Sequence, residues 1–190
     1  MWRLAKTAFS LFAVMTCLTG IVYPLAVTGL AQALFPHQAN GSLMAIAPGK
    51  TASALVGQPF DRPGYFWGRP SATTPVPYNG ASSAGSNLGT FHPDLLKAVQ
   101  GRIAALRTAD PDNWRAIPVD LVTASASGLD PHISPAAALY QAGRVARARS
   151  LDVGKVVAMV NTHIEPRQCG LLGEPRVSVL QLNAALDALR

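Results

Sequence analysis

Residues Thr7–Phe35 read TAFSLFAVMTCLTGIVYPLAVTGLAQALF, and no Asp, Glu, Lys or Arg occurs anywhere between Lys6 and Lys50. A helix of about 20 such residues crosses a hydrocarbon core, where only intrahelical bonds satisfy the backbone N–H and C=O groups. The stretch therefore predicts a transmembrane helix over residues 7–34. Arg3 and Lys6 precede it and no nearby cation follows, which by the positive-inside rule leaves residues 1–6 in the cytoplasm and the rest outside. Trp2 and Tyr23 suit interfacial or polar-lined depths, and Pro24 predicts a kink near the outer end. A cleavable signal sequence with Ala31-Gln32-Ala33 as its processing site is the competing reading, but the apolar run is about twice the usual ~7–15 residues. Both readings export the remainder. Ala13-Val14-Met15-Thr16 lacks the small residues that lead into a lipidated cysteine at Cys17.

Working outward, the 190 residues are 49% hydrophobic and only 14% charged, with a mean hydropathy of +0.21. That excludes a disordered chain, a coiled coil or a nucleic-acid tail, each of which needs far more charge. The net charge of +6 is spread thinly, with no Lys/Arg stripe for nucleic acid. Cys17 and Cys169 make neither a disulfide framework nor a zinc site.

Residues 35–50 read as a spacer, and 51–190 as one extracytoplasmic α+β domain without repeats. Ala52–Phe60 predicts a short strand holding Leu55 and Val56. Gly57–Pro93 is rich in Gly, Pro, Ser and Asn yet carries Phe60, Tyr65, Phe66, Trp67, Tyr78 and Phe91, so it reads as ordered but irregular. Helices are predicted over Pro93–Thr108, from the Ser134-Pro135 start to about Arg149, and over Asp152–His163. In the second, Ala138, Leu139, Ala142, Val145 and Ala146 form the buried side. Tyr140, Arg144 and Arg147 share the opposite side, flanked by Gln141. Strands are predicted over Ile117–Thr123 and Val177–Leu182, with Asn183 capping a last helix that holds Leu186 and Leu189.

Several chemistries are suggested and fail on spacing. Gly49-Lys50-Thr51 resembles a P-loop end, but its first glycine would fall at Met44. His37, His92, His132 and His163 are too scattered for a local ligand pair, so no metal site is expected. Ser127, Asp130 and His132 lie together, whereas a catalytic triad converges from separated segments beside an oxyanion hole. Ser127, Gly128, Asp130, Pro131, His132 and Ser134 read instead as a rigid turn leading into a helix cap. No catalytic residue is assigned. Tyr140, Gln141, Arg144 and Arg147 fit a solvated face or a contact with an acidic surface or phosphate. Tyr65, Trp67 and Arg69 fit core aromatics or an interface anchor.

Longer motifs carry a resemblance. They are Gly20-Ile21-Val22-Tyr23-Pro24-Leu25, Asn40-Gly41-Ser42-Leu43, Tyr65-Phe66-Trp67-Gly68-Arg69-Pro70-Ser71-Ala72 and Gly85-Ser86-Asn87-Leu88-Gly89. Ser127 through Pro135, Arg144 through Arg149 and Gly173-Glu174-Pro175-Arg176-Val177 follow in order. On these the chain resembles the C subunits of Kdp-type potassium-transporting P-type ATPases over essentially its whole length. It departs mildly, with Ala126 and Ala52 where the family usually has glycine and Ser178 where it usually has asparagine.

The resemblance implies a bacterial inner-membrane subunit without enzymatic activity or cofactor of its own. Its partners would be a channel-like potassium-binding subunit, a subunit that hydrolyses ATP through a phospho-aspartate, and a small membrane peptide, all within the lipid bilayer. ATP and potassium would be handled by those partners; this chain lacks the Asp-Lys-Thr-Gly phosphorylation motif. The C subunit is described as necessary for assembly and as a catalytic chaperone that raises ATP affinity, with a glutamine matching Gln141 assigned to the nucleotide. The charge pattern puts Gln141 on the outer side, so an effect on ATP is read as allosteric. The alternatives are direct ATP contact, which requires a cytoplasmic domain, and a hydrolase using Ser127, Asp130 and His132.

Overall fold

The computed structural model describes residues 1–47 and 49–189. One continuous apolar helix runs Trp2–Leu34, built from α1 (Trp2–Cys17), a π-helical turn at Leu18–Val22 and α2 (Tyr23–Leu34). At 1.5 Å per residue it is about 50 Å long, enough to cross a bilayer with its headgroups. None of its apolar window is buried within the chain. Hydroxyls on it bond back to the helix: Thr7 Oγ1 to Arg3 O (3.0 Å), Thr19 Oγ1 to Met15 O (2.7 Å). That hides their polarity from lipid. The predicted proline effect takes the form of the π turn, where the Tyr23 N–H reaches back to Leu18 O just before Pro24. A proline lacks the N–H for its own bond and crowds the preceding turn, so a widened turn relieves it.

The segment read as a spacer carries structure. α3 (Pro36–Ala39) follows directly, and β1 (Leu43–Ala47) pairs antiparallel with β2 (Lys50–Ser53). Asn40 Nδ2 donates to Gln32 Oε1 (3.1 Å) and Gln32 Nε2 to Asn40 Oδ1 (3.3 Å), fastening this segment to the end of α2. Ser53 Oγ donates to Gly41 O (2.7 Å), and Gly57 N donates to Leu129 O (2.9 Å) in the main body. The expected strand at 52–60 starts and stops earlier, because Ser53 Oγ accepts the Leu55 N–H and turns the chain.

The body is α+β. A three-stranded antiparallel sheet has the order β3 (His132–Ile133), β5 (Arg176–Ser178), β4 (Ile164–Glu165). It packs with α5 (Pro135–Arg149), α6 (Val153–Thr162) and α7 (Val179–Asp187). Val145, Val156, Val160, Val177, Leu182 and Phe66 are fully buried there. Full burial of each such side chain contributes roughly 1.5–3 kcal/mol. The helix starts follow from their caps: Ser134 Oγ accepts from Ala137 N (3.1 Å), and Asp152 Oδ1 from Lys155 N (3.0 Å). α4 (Pro93–Ala109) is capped by His92 and buries only Leu106.

Two strand expectations are corrected. Residues 117–123 hold a 3₁₀ turn, Val119–Leu121, with Leu121 and the following Val122 buried. The strand at Val177 ends at Ser178, whose hydroxyl accepts the Gln181 N–H and starts α7. Val179, Leu182 and Leu186 follow helical rather than alternating spacing. Asn183 is therefore an interior helix residue, 1% exposed, and not a cap.

Candidate functional site

The irregular stretch around residues 62–71 lies in no strand, yet between Pro63 and Trp67 its carbonyls and the Phe66 and Trp67 amides are occupied by side chains from α5 and α7. Two amides imitate β-pairing. Phe66 N donates to Asn183 Oδ1 (2.9 Å) while Asn183 Nδ2 donates to Phe66 O (3.0 Å). Trp67 N donates to Gln141 Oε1 (2.8 Å) while Gln141 Nε2 donates to Trp67 O (3.1 Å). Buried main-chain groups need such partners, and here α-helices supply them.

Gln141 is saturated. Its Nε2 also donates to Ala137 O (3.2 Å), and its Oε1 also accepts from Arg144 Nη2 (2.7 Å). A side-chain amide offers two donors and two acceptor sites, and all four are used at 1% exposure. Arg144 continues the clasp with bonds to Pro63 O (2.5 Å) and Tyr65 O (3.1 Å), its guanidinium 4.5 Å from the Trp67 ring centroid. Burial pushes its pKa down to about 10; the Asp110 carboxylate opposes that fall and Arg147 adds to it. Arg149 donates to Gly64 O (2.5 Å) and Asp187 (2.8 Å) and stacks 4.6 Å from the Tyr65 ring centroid. Tyr65 Oη donates to the same carboxylate.

The helix side expected to be open is thus closed. Tyr140, Gln141 and Arg144 are buried, and only Arg147 is exposed, paired with the buried Asp110 carboxylate. The cause is the loop folding over Gln141 and Arg144 and Arg115 lying over the Tyr140 ring, which α5's own periodicity cannot announce. Asn183, Arg149 and Asp187 carry as much of the clasp as Gln141, yet sequence pointed to none of them as a site residue and read Asn183 only as a helix cap. The available signal was a lone amide at Asn183 between Leu182 and Leu186, on an otherwise apolar side.

The second cluster is the turn. Gly128 has φ +67, and a Cβ there would sit 2.6 Å from both Ala84 O and Thr73 Cγ2. Ser71 Oγ donates to Gly128 O (2.7 Å), and Asp130 Oδ1 accepts the His132 N–H (2.9 Å). Arg69 Nη1 meets Asp130 Oδ2 at 3.2 Å, joining the loop to the turn. Burial works to raise the Asp130 pKa, but the side-chain and backbone hydrogen bonds of His132 and the Arg69 charge outweigh it. Its carboxyl is held below the ordinary range. Tyr78 Oη donates to Arg69 O (2.5 Å), and burial, aided by Asp130, pushes this phenol up to about 12. Ser127 Oγ accepts the Leu129 N–H (3.1 Å), a turn contact. Pro131 O accepts the Val179 N–H (3.0 Å), and Ser134 caps α5. Loop, turn and helices are one connected polar frame around an apolar core.

A family model described as KdpC, K+-transporting ATPase, c chain, matches residues 5–188. The potassium-transporting ATPase KdpC subunit of Polaromonas naphthalenivorans is 62% identical over 190 residues, covering 100% of this chain and 97% of that one. The protein of that name from Dechloromonas aromatica is 59% identical over 190 residues, covering 100% and 99%. That from Methylococcus capsulatus is 58% identical over 185 residues, covering 97% of each.

Proposed function

Since the chain belongs to the KdpC family, the c chain of K+-transporting ATPases, we propose that it supports assembly of the pump and raises ATP affinity from outside the membrane. It does so without an active site of its own. The membrane helix packs among the membrane-embedded partners, and the α+β body sits against the outer face of the potassium-binding subunit. ATP and potassium are handled by those partners.

The observation that carries this reading is the saturated amide of Gln141. A nucleotide contact there would require breaking four hydrogen bonds and lifting the loop, leaving buried groups unpaired at about 1–3 kcal/mol each. Gln141 instead holds the loop that presents Tyr65, Trp67 and Arg69, and so acts on ATP by setting the shape of the body. Such coupling between distant sites is typically about 1–3 kcal/mol, and it is reciprocal: ATP bound in the partner tightens this subunit's hold on the complex. Arg3 and Lys6 ahead of an uncharged crossing favour the outward body.

The test uses a thiol already present. Cys169 is free and exposed in the body. A membrane-impermeant maleimide added to intact cells, with the outer barrier permeabilised, labels it; Cys169→Ser removes the signal. Labelling only after the inner membrane is broken would overturn the outward reading and restore direct nucleotide contact.

A further inference from the structure

The hairpin β1–β2 stands outside the main core, joined to it through the Gly57–Leu129 bond. An isolated two-stranded hairpin is marginal in water. β1 is also apolar on both faces from Leu43 to Ile46, with neither charge nor proline to blunt its edge, and the register is regular up to Ala45, before the irregularity between Ala45 and Ala47. Its pairing phase follows from one bond. Ala54 N donates to Ser42 O (3.0 Å), and Leu43 faces Ser53, Met44 faces Ala52 and Ala45 faces Thr51. In an antiparallel pair bonded and non-bonded positions alternate, so Met44 bonds to β2 while Leu43 and Ala45 turn their N–H and C=O groups away. Both residues are exposed, Leu43 by 55%. Among the described residues, nothing outside the hairpin bonds to those groups.

We propose that this open edge is a docking site for an extended, uncharged segment of a membrane-embedded partner subunit, added beside β1 as a third strand. The proposal rests on the reading of the chain as a pump subunit. Three observations select the occupant. The edge lies nine residues beyond Leu34, where the apolar helix ends, a short reach from where connecting loops of neighbouring membrane chains would emerge. The outward N–H and C=O groups of Leu43 and Ala45 can be satisfied by water or by another backbone but not by hydrocarbon, which excludes a lipid tail as the occupant. The apolar side chains on both faces suit a strand that is covered above and below. Backbone bonds would give the affinity, and the alternating side chains the register.

Residue-resolved hydrogen exchange on the full-length chain in detergent, alone and in the native complex, reads the pairing directly. The Leu43 and Ala45 amides should exchange at least roughly tenfold more slowly in the complex, with little change at Met44. Equal rates in both samples overturn the proposal. Protection that grows with concentration of the chain alone also overturns it, by showing a second copy on the edge. Ala45→Pro removes an outward donor that the hairpin does not use, and should reduce retention in the washed complex about tenfold or more. Ala45→Val keeps the donor and should be retained like the parent chain. Retention of Ala45→Pro with unchanged Leu43 protection would sink the edge. Exchange is independent of membrane side, so failure of the Cys169 labelling and failure of this experiment are separate results.

Discussion

The membrane helix and the clasped loop meet the same requirement, that no buried backbone group go unpaired, by opposite means. Along Trp2–Leu34 the backbone pairs within the helix, mostly four or five residues apart and with Pro24 lacking a donor, and the uniformly apolar side chains set the outcome. Around Tyr65–Trp67 the partners are Gln141 and Asn183, 74 and 117 residues further along the chain. The first arrangement survives almost any apolar substitution. The second depends on a few amides and guanidiniums at fixed places. Local pairing makes an element robust, and distant pairing makes it addressable by single mutations.

The sharpest way to break the contrast is to remove an amide. Asn183→Ala leaves the Phe66 N–H and C=O unpaired inside the core, an expected loss of about 2–4 kcal/mol. Gln141→Ala should cost a similar amount and also strand Arg144. Urea unfolding of the chain in detergent measures both losses, and fast exchange at the Phe66 or Trp67 amide identifies the loop as the part released. If only Gln141→Ala weakened ATP use by the assembled pump while both variants lost equal stability, Gln141 would have a role beyond the clasp.

A smaller effect sharpens the second cluster. The folded-state pKa of Asp130 is depressed, so its contribution is full above the unfolded value of about 3.9 and is lost as pH falls through the folded value. Asp130→Asn should therefore be less stable than the parent at neutral pH, with the gap closing in acid. A gap that persists unchanged to the acid limit would show that the Asp130 charge, held by His132 and Arg69, contributes nothing. The smallest expected effect lies in the membrane. Pro24→Ala restores a backbone donor and should let the π turn relax to a regular helix, seen as a shift in the exchange of nearby amides in detergent. Unfolding of the body should stay within about 0.5 kcal/mol.

The same contrast decides what could be read in advance. The apolar run without charge gave the spanning helix, and Ser134-Pro135 and Asp152 gave the starts of α5 and α6, because each signal acts over a turn or two. Gly128, Asp130 and Ser134 were legible as a turn for the same reason. The open side assigned to Tyr140, Gln141 and Arg144 was wrong because what covers it comes from far along the chain, residues 63–67 over Gln141 and Arg144 and Arg115 over the Tyr140 ring. The strand extended through Leu182 missed that Ser178 ends it with its own hydroxyl. The hairpin after the membrane helix was hidden because β1 is apolar throughout and lacks the alternation that marks a half-buried strand.

The short passage between span and body has one consequence of its own. Gln32 and Asn40 are locked amide to amide, and Gly41 and Ser42 are tied to Ser53 and Ala54 within the next few residues. These ties leave little slack between span and hairpin. The hairpin inherits the tilt of its stalk, as a rudder follows its post, and hands it on to the body through the Gly57–Leu129 bond.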